Sequence, residues 1–151
     1  MHENRGGIQD ESKNVEQSQP KSSKEQKFAV EGRRIIDIQY MAEQMFCVAC
    51  KKPLNLCDIK SEQKYGLASI FTIECQKCRY QLNRVHTGKR HKDATGPFDI
   101  NTKATLAMMN IGAGAEHLQT FFSTLNIPPM NRSTVTARER EVGPKIIEVA
   151  Q

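Results

Sequence analysis

The chain has 151 residues, 38% hydrophobic and 6% aromatic with no tryptophan, and a formal net charge of +5. That is too little apolar surface for one large core along the whole length, so part of the chain is disordered or a small domain is held together by something besides apolar packing. No apolar run approaches the roughly 18 residues of a membrane span, and the polar start Met1-His2-Glu3-Asn4-Arg5 lacks a signal-peptide core, so neither secretion nor a membrane partner is expected.

Residues 1–31 are rich in Gln, Ser, Lys and Glu and carry a net charge of −1. Their few apolar residues cannot offset the entropy of ordering, and they read as a disordered tail. Order is expected from Gly32. Asp37 suits a helix N-cap, and Ile38, Met41, Ala42 and Met45 then fall on one helical face. This short helix runs directly into the first cysteine pair.

Cys47-Val48-Ala49-Cys50 and Cys75-Gln76-Lys77-Cys78 are two CxxC pairs with 24 residues between them. In a reducing cytosol or nucleus, cysteines read as metal ligands before disulfides. Each pair places two thiolates on one metal from a tight turn, and two such turns complete a tetrahedron, the closed structural zinc site of ribbon folds. Metal binding supplies folding free energy on the order of 10 kcal/mol, which a segment with few large apolar residues needs. A thioredoxin-like redox use of CxxC calls for a βαβ context and gives no reason for two pairs. Unligated buried cysteines are the other alternative. A four-cysteine site leaves no open coordination position and so argues against metal catalysis. Cys57 is expected as a small core residue, and His86 and His91 as part of the basic surface rather than as ligands.

Between and beyond the pairs, Pro53 suits a turn. Leu67–Glu74 is β-branched and aromatic enough for a strand, and Tyr80, Leu82 and Arg84 share one parity of a second strand. Residues 1–31 being slightly acidic, the remainder carries +6. Its densest part, from Lys77 to Lys92, holds six Lys/Arg, two His and no acid. Such a surface suits an anionic partner, most often nucleic acid, although a charge run is as readily a solvated face. Thr87–Pro97 has no apolar periodicity and reads as a loop.

The last third reads as helical. Leu106 and Met109 are placed to bury one face of a helix that starts near Asn101 and ends at Gly112 and Gly114. A second helix, 115–125, puts Leu118, Phe121, Phe122 and Leu125 on one stripe and stops before Pro128-Pro129. Ser133 is expected to cap a third, charged helix that Gly143-Pro144 breaks or kinks. The expected class is therefore α+β, with a disordered tail over 1–31, a short helix and zinc ribbon over 32–96, and a three-helix, helix-turn-helix-like segment over 97–151.

Several ordered strings carry a resemblance: Gly32-Arg33-Arg34-Ile35-Ile36-Asp37, the first CxxC pair, Tyr65–Thr72 and the second pair. They continue through Asn101-Thr102-Lys103-Ala104, the Gly112/Gly114 turn and Leu125–Met130. Together they resemble the N-terminal part of the eukaryotic Mutator-like transposase domain, over about residues 32–151. The resemblance implies a DNA-handling protein of mobile-element origin, in which this region precedes an RNase H-like domain whose acidic triad binds divalent metal. Only Asp93, Asp99, Glu116, Glu139, Glu141 and Glu148 follow the second cysteine pair, and none lies on an evident buried strand. No catalytic triad is assigned and strand transfer is not carried over.

The expectation is a nuclear DNA-binding or assembly module, present as a truncated or domesticated fragment, with one structural zinc on Cys47, Cys50, Cys75 and Cys78. Lys77, Arg79, Arg84, Lys89, Arg90 and Lys92 are the phosphate-contact candidates on or beside the ribbon. Arg132, Arg138 and Arg140 are the candidates on the third helix, where Glu139 and Glu141 interleave as on an ordinary solvated helix. The alternative is a zinc-ribbon protein-interaction module without direct DNA binding. Its 115–125 helix would pack on a second copy or on a transposase catalytic domain.

Overall fold

A computed structural model describes residues 30–78, 81–91 and 95–149, with the side chains of 146–149 excepted. Residues 1–29 of the tail expected over 1–31, together with Arg79, Tyr80 and Lys92, lie outside the described residues. The order of elements is α1 (Ile38–Gln44), a 3-10 turn (Leu56–Asp58), β1 (Ile59–Tyr65), β2 (Ala68–Glu74), β3 (Leu82–His86), α2 (Asp99–Asn110), α3 (Ala115–Thr124) and α4 (Arg132–Val149). The class is α+β. The three strands form one antiparallel sheet in the order β1-β2-β3. No helix among the described residues is long and apolar enough to cross a membrane.

The central strand carries the apolar content. In β2, Ile70, Phe71 and Ile73 are all buried, because one face packs under α1 and the cysteine turns while the other meets Phe98. β1 was not foreseen as a strand. Its sequence, Ile59-Lys60-Ser61-Glu62-Gln63-Lys64-Tyr65, is mostly polar because it is an edge that pairs only with β2. A register shift between Ile59 and Ser61 leaves Lys60 paired with Glu74 at 2.7 Å. In β3 the buried parity is Asn83 and Val85, while Leu82 and Arg84 face outward.

A two-residue turn, Gly66-Leu67, joins β1 to β2. Gly66 has φ +65°, and a Cβ there would lie 2.7 Å from both Asn101 Oδ1 and Met130 Cγ, so the backbone conformation and the packing both require glycine. Asn101 of α2 is buried against this turn. Its Nδ2 donates to Tyr65 O and its Oδ1 accepts from Leu67 N–H, both at 2.8 Å, so one amide ties the helical half to the end of the hairpin. Leu67 then inserts among Leu118, Phe122, Met130 and Val135 of the helical half.

Several local expectations need correction. Asp37 does cap α1, accepting from Tyr40 N–H at 3.1 Å. Of the stripe after it, however, only Met41 is fully buried and Ile38 is 80% exposed. The face α2 buries is Asn101, Thr102 and Thr105, with Ala104 and Met108 packed beside them; Leu106 and Met109 are half-buried. Of its polar side chains, Asn101 bonds the backbone of the hairpin turn, and Thr105 Oγ1 donates back to Asn101 O within the helix at 2.9 Å. In α3, Leu118 and Phe122 are buried, while Phe121 and Leu125, the residue that caps its end, are largely exposed. Asn131, not Ser133, caps α4, accepting from Thr134 N–H at 2.8 Å. That helix runs through Pro144 without ending. Cys57 is exposed on the 3-10 turn, not in the core.

Arg34, in the segment before α1, reaches Glu62 on β1 through two hydrogen bonds, Nε–Oε1 at 2.5 Å and Nη2–Oε2 at 2.6 Å, with both side chains under 8% exposed. Ser69 Oγ donates to the same carboxylate. Burial alone would raise the Glu62 pKa, but the bonds from Arg34 and Ser69 outweigh it and hold the carboxyl below its ordinary value. The stabilisation is therefore present above the unfolded carboxylate range and is lost as pH falls through the depressed folded value. Glu62→Gln should cost roughly 1.5–3 kcal/mol at neutral pH. Chemical denaturation across pH should show that difference shrinking in acid; a difference constant with pH would contradict this.

Candidate metal centre

Each cysteine pair sits on a tight turn closed by backbone hydrogen bonds. At the first, Phe46 bridges to Pro53, Cys47 N–H donates to Lys52 O, and Lys51 N–H donates to Cys47 O, both at 2.9 Å. Lys51 adopts φ 59°, the left-handed residue that brings the chain back on itself. At the second, Cys75 N–H donates to Gln81 O at 3.0 Å as the chain passes from β2 toward β3. Asn83 of β3, buried to 3% exposure, fixes one turn to the sheet: its Oδ1 accepts from Val48 N–H at 2.9 Å. The one sign of this role along the chain is a polar amide on the same parity as Val85.

The four sulfurs converge. Cys47, Cys50, Cys75 and Cys78 bring their Sγ atoms within 4.8 Å of one another. Across the pairs, Cys47 Sγ lies 4.0 Å from Cys78 Sγ and Cys50 Sγ 3.6 Å from Cys75 Sγ. A tetrahedral ion with metal–sulfur bonds near 2.3 Å needs sulfur–sulfur edges of about 3.8 Å. A disulfide would need about 2.05 Å, and all five described cysteines are free. Cys47 and Cys75 are buried and Cys50 and Cys78 half-buried, so the four could hold a metal ion in a closed shell within the core that also contains Met41, Leu54, Phe71, Ile73 and Val85.

Protonation differs sharply across the cluster. Cys47 is drawn down to about 6, chiefly because the Cys50 backbone N–H points at its sulfur, with further help from Ala49 N–H and against the opposing effect of burial. Cys78 is pushed up to about 12 by its side-chain hydrogen bond with Cys50, by burial and by the neighbouring Cys47 and Cys75 sulfurs. One thiolate is thus favoured and its neighbour is then held protonated. A cation held among the four sulfurs would favour the thiolate form.

The basic residues named from sequence take different positions. Lys77 is exposed on the second cysteine turn. Arg84 is exposed on β3, its Nη2 donating to Gln63 Oε1 at 3.1 Å. Lys89 is exposed with its Nζ 5.7 Å from the Tyr40 ring centroid. Arg90 is half-buried, stacked 4.1 Å from the Phe98 centroid and 5.2 Å from that of Tyr65. Arg132 and Arg140 are exposed, and Arg132 lies 3.7 Å from Glu116. Arg138 has a side chain only 18% exposed, paired with Glu141 at 2.7 Å. His86, half-buried, is held below its ordinary pKa by burial and then by Arg90 and Arg84, so it adds no positive charge near neutrality. His91 pairs with Asp99 at 3.3 Å.

The sequence model of a family described as Mutator-like transposase matches residues 32–151, which includes the whole of this centre. No curated protein and no solved structure matches the chain.

Native mass spectrometry should find one metal ion per chain, and Cys75→Ser should lose it together with cooperative unfolding. A metal-free wild type that unfolds at the same temperature as the metal-loaded protein would refute a structural centre.

Proposed function

We infer that this chain, which belongs to the Mutator-like transposase family, is a DNA-binding and assembly module whose four-cysteine centre holds one structural zinc. The observation that carries the reading is the sulfur cluster set directly beside exposed cations. Soft thiolates at tetrahedral edge lengths suit zinc, whose closed shell supplies a cross-link and no redox chemistry. With that cross-link in place, Lys77 and Arg84 project from rigid elements, and Lys89 lies just beyond β3.

Contacts of this kind go to phosphates and fix position and affinity without reading bases. Arg132 and Arg140 on α4 could extend the same surface, whereas Arg138 is committed to Glu141. Several of the acids are engaged too: Glu62 by Arg34, Glu74 by Lys60, Asp99 by Lys103 and Glu141 by Arg138. That distribution favours binding over strand transfer in these residues, and the nucleus is where such a module would meet chromosomal DNA.

A second reading, a protein-interaction module, is favoured by one observation: Phe121 is 54% and Leu125 41% exposed on α3. A second copy or a catalytic domain of a transposase would cover that face.

Binding to a DNA duplex measured against salt separates the two. Each phosphate contact contributes about −0.9 to the slope of log affinity against log salt, so replacing Lys77, Arg84 and Lys89 together by Gln should flatten the slope by about 2.7. An unchanged slope, or no binding by a protein that self-associates until Phe121→Ser disperses it, would favour the interaction module.

A further inference from the structure

Where the hairpin turn meets the start of α4, the surface opens into a cleft of about 470 Å³ that no sequence motif announced. This falls in the range of roughly 300–1,000 Å³ typical of small-ligand clefts. Its charged lining residues are Lys64 from β1, Arg90 and Arg138, and among the described residues no Asp or Glu lines it. Arg138 is balanced by Glu141, and Lys64 is near enough to the Arg34-bound Glu62 carboxylate to act on it through space, which leaves Lys64 and Arg90 outside any direct ion pair among the described residues. Among the described residues Lys64 makes no ion pair. Arg90 is held flat by Phe98 and Tyr65 and by an Nη1 bond to Gly96 O at 2.7 Å, and its Nε is buried with no acceptor.

The opposite wall is the first turn of α4, an 18-residue helix. Asn131 caps Thr134 N–H there. The amides preceding it have no acceptor within a helix, and the helix dipole places partial positive charge at the same point. Ser133 and Thr134 line the cleft and add hydroxyl groups. A fixed guanidinium, an exposed ammonium, hydroxyls and a helix start facing one cleft, with no acid among its described lining residues, form a receptor for a compact, strongly charged anion.

We propose that this cleft seats a phosphate group, and that in the working protein it is a phosphodiester of the DNA backbone. The DNA assignment rests on the function proposed above; the phosphate site does not. It also gives the helical half a contact with the same strand that meets the cysteine turns, so the sheet and α4 would grip one ligand.

The test uses Lys64→Gln, an exposed position whose replacement leaves the core intact, and Ser133→Asp, which puts a carboxylate in the first helical turn, where it favours the helix but repels an anion. Titration of the wild type with inorganic phosphate, followed by amide NMR, should shift the signals of residues 132–134; both variants should lose the shifts while keeping the folded spectrum. With a DNA duplex, Lys64→Gln should reduce the salt slope by about 0.9 and affinity about fivefold at roughly 0.15 M salt. Phosphate shifts without any DNA binding would keep the site, assign it to a free phosphate compound and refute the DNA reading. DNA binding that neither variant weakens, with no phosphate shifts, would refute the cleft and leave the DNA reading standing.

Discussion

Four sulfur atoms within 4.8 Å of one another cannot share that space as four anions unless a cation sits among them, and the rest of the fold is arranged around this constraint. The two turns that carry them are the ends of different elements: one follows α1, the other terminates β2. Joining them brings α1 down onto the sheet and encloses Met41, Phe71, Ile73 and Val85. A metal ion held by the four sulfurs would add its binding free energy to the folding free energy of this small core.

The helical half is attached by different means. Gly66, Leu67 and Asn101 form a joint in which a backbone turn, an apolar anchor and a side-chain amide meet. A second joint runs from the other side: Arg33 N–H and Nη1 donate to Asn126 O and Leu125 O, each at 2.9 Å, beside Gly32 at φ +84°. The Arg34–Glu62 pair stands between the two. The sheet thus serves both halves, through one face and one end, and cations from both reach the surface on connected rigid elements.

How much of this was legible in the sequence depended on whether a residue's role was local. Paired cysteines act through spacing along the chain, so the convergence of the four cysteines was readable, as were the Asp37 cap, the β2 strand and the α3 helix. The misses are residues whose role is set by distant partners. β1 is polar because an edge strand needs few apolar contacts, and nothing in Lys60–Lys64 announces pairing. Asn101 and Asn83 look like surface amides until their backbone partners, 34 to 36 residues away for Asn101 and 35 for Asn83, are in place. Ser133 and Asn131 are both good caps, and only the direction of the incoming chain chooses between them. The basic run was visible as a run, but its division into exposed Lys77, Arg84 and Lys89 and a stacked Arg90 follows from Phe98, which arrives from beyond the loop.

A metal held by the four cysteines is expected to support the sheet, not merely to decorate it. Hydrogen exchange compared between metal-loaded and chelator-treated protein tests this most directly. If the account holds, removing the metal abolishes protection through α1, β2 and β3 as well as at the two cysteine turns. Retained protection in β2 and β3, with loss confined to the turns, would contradict it.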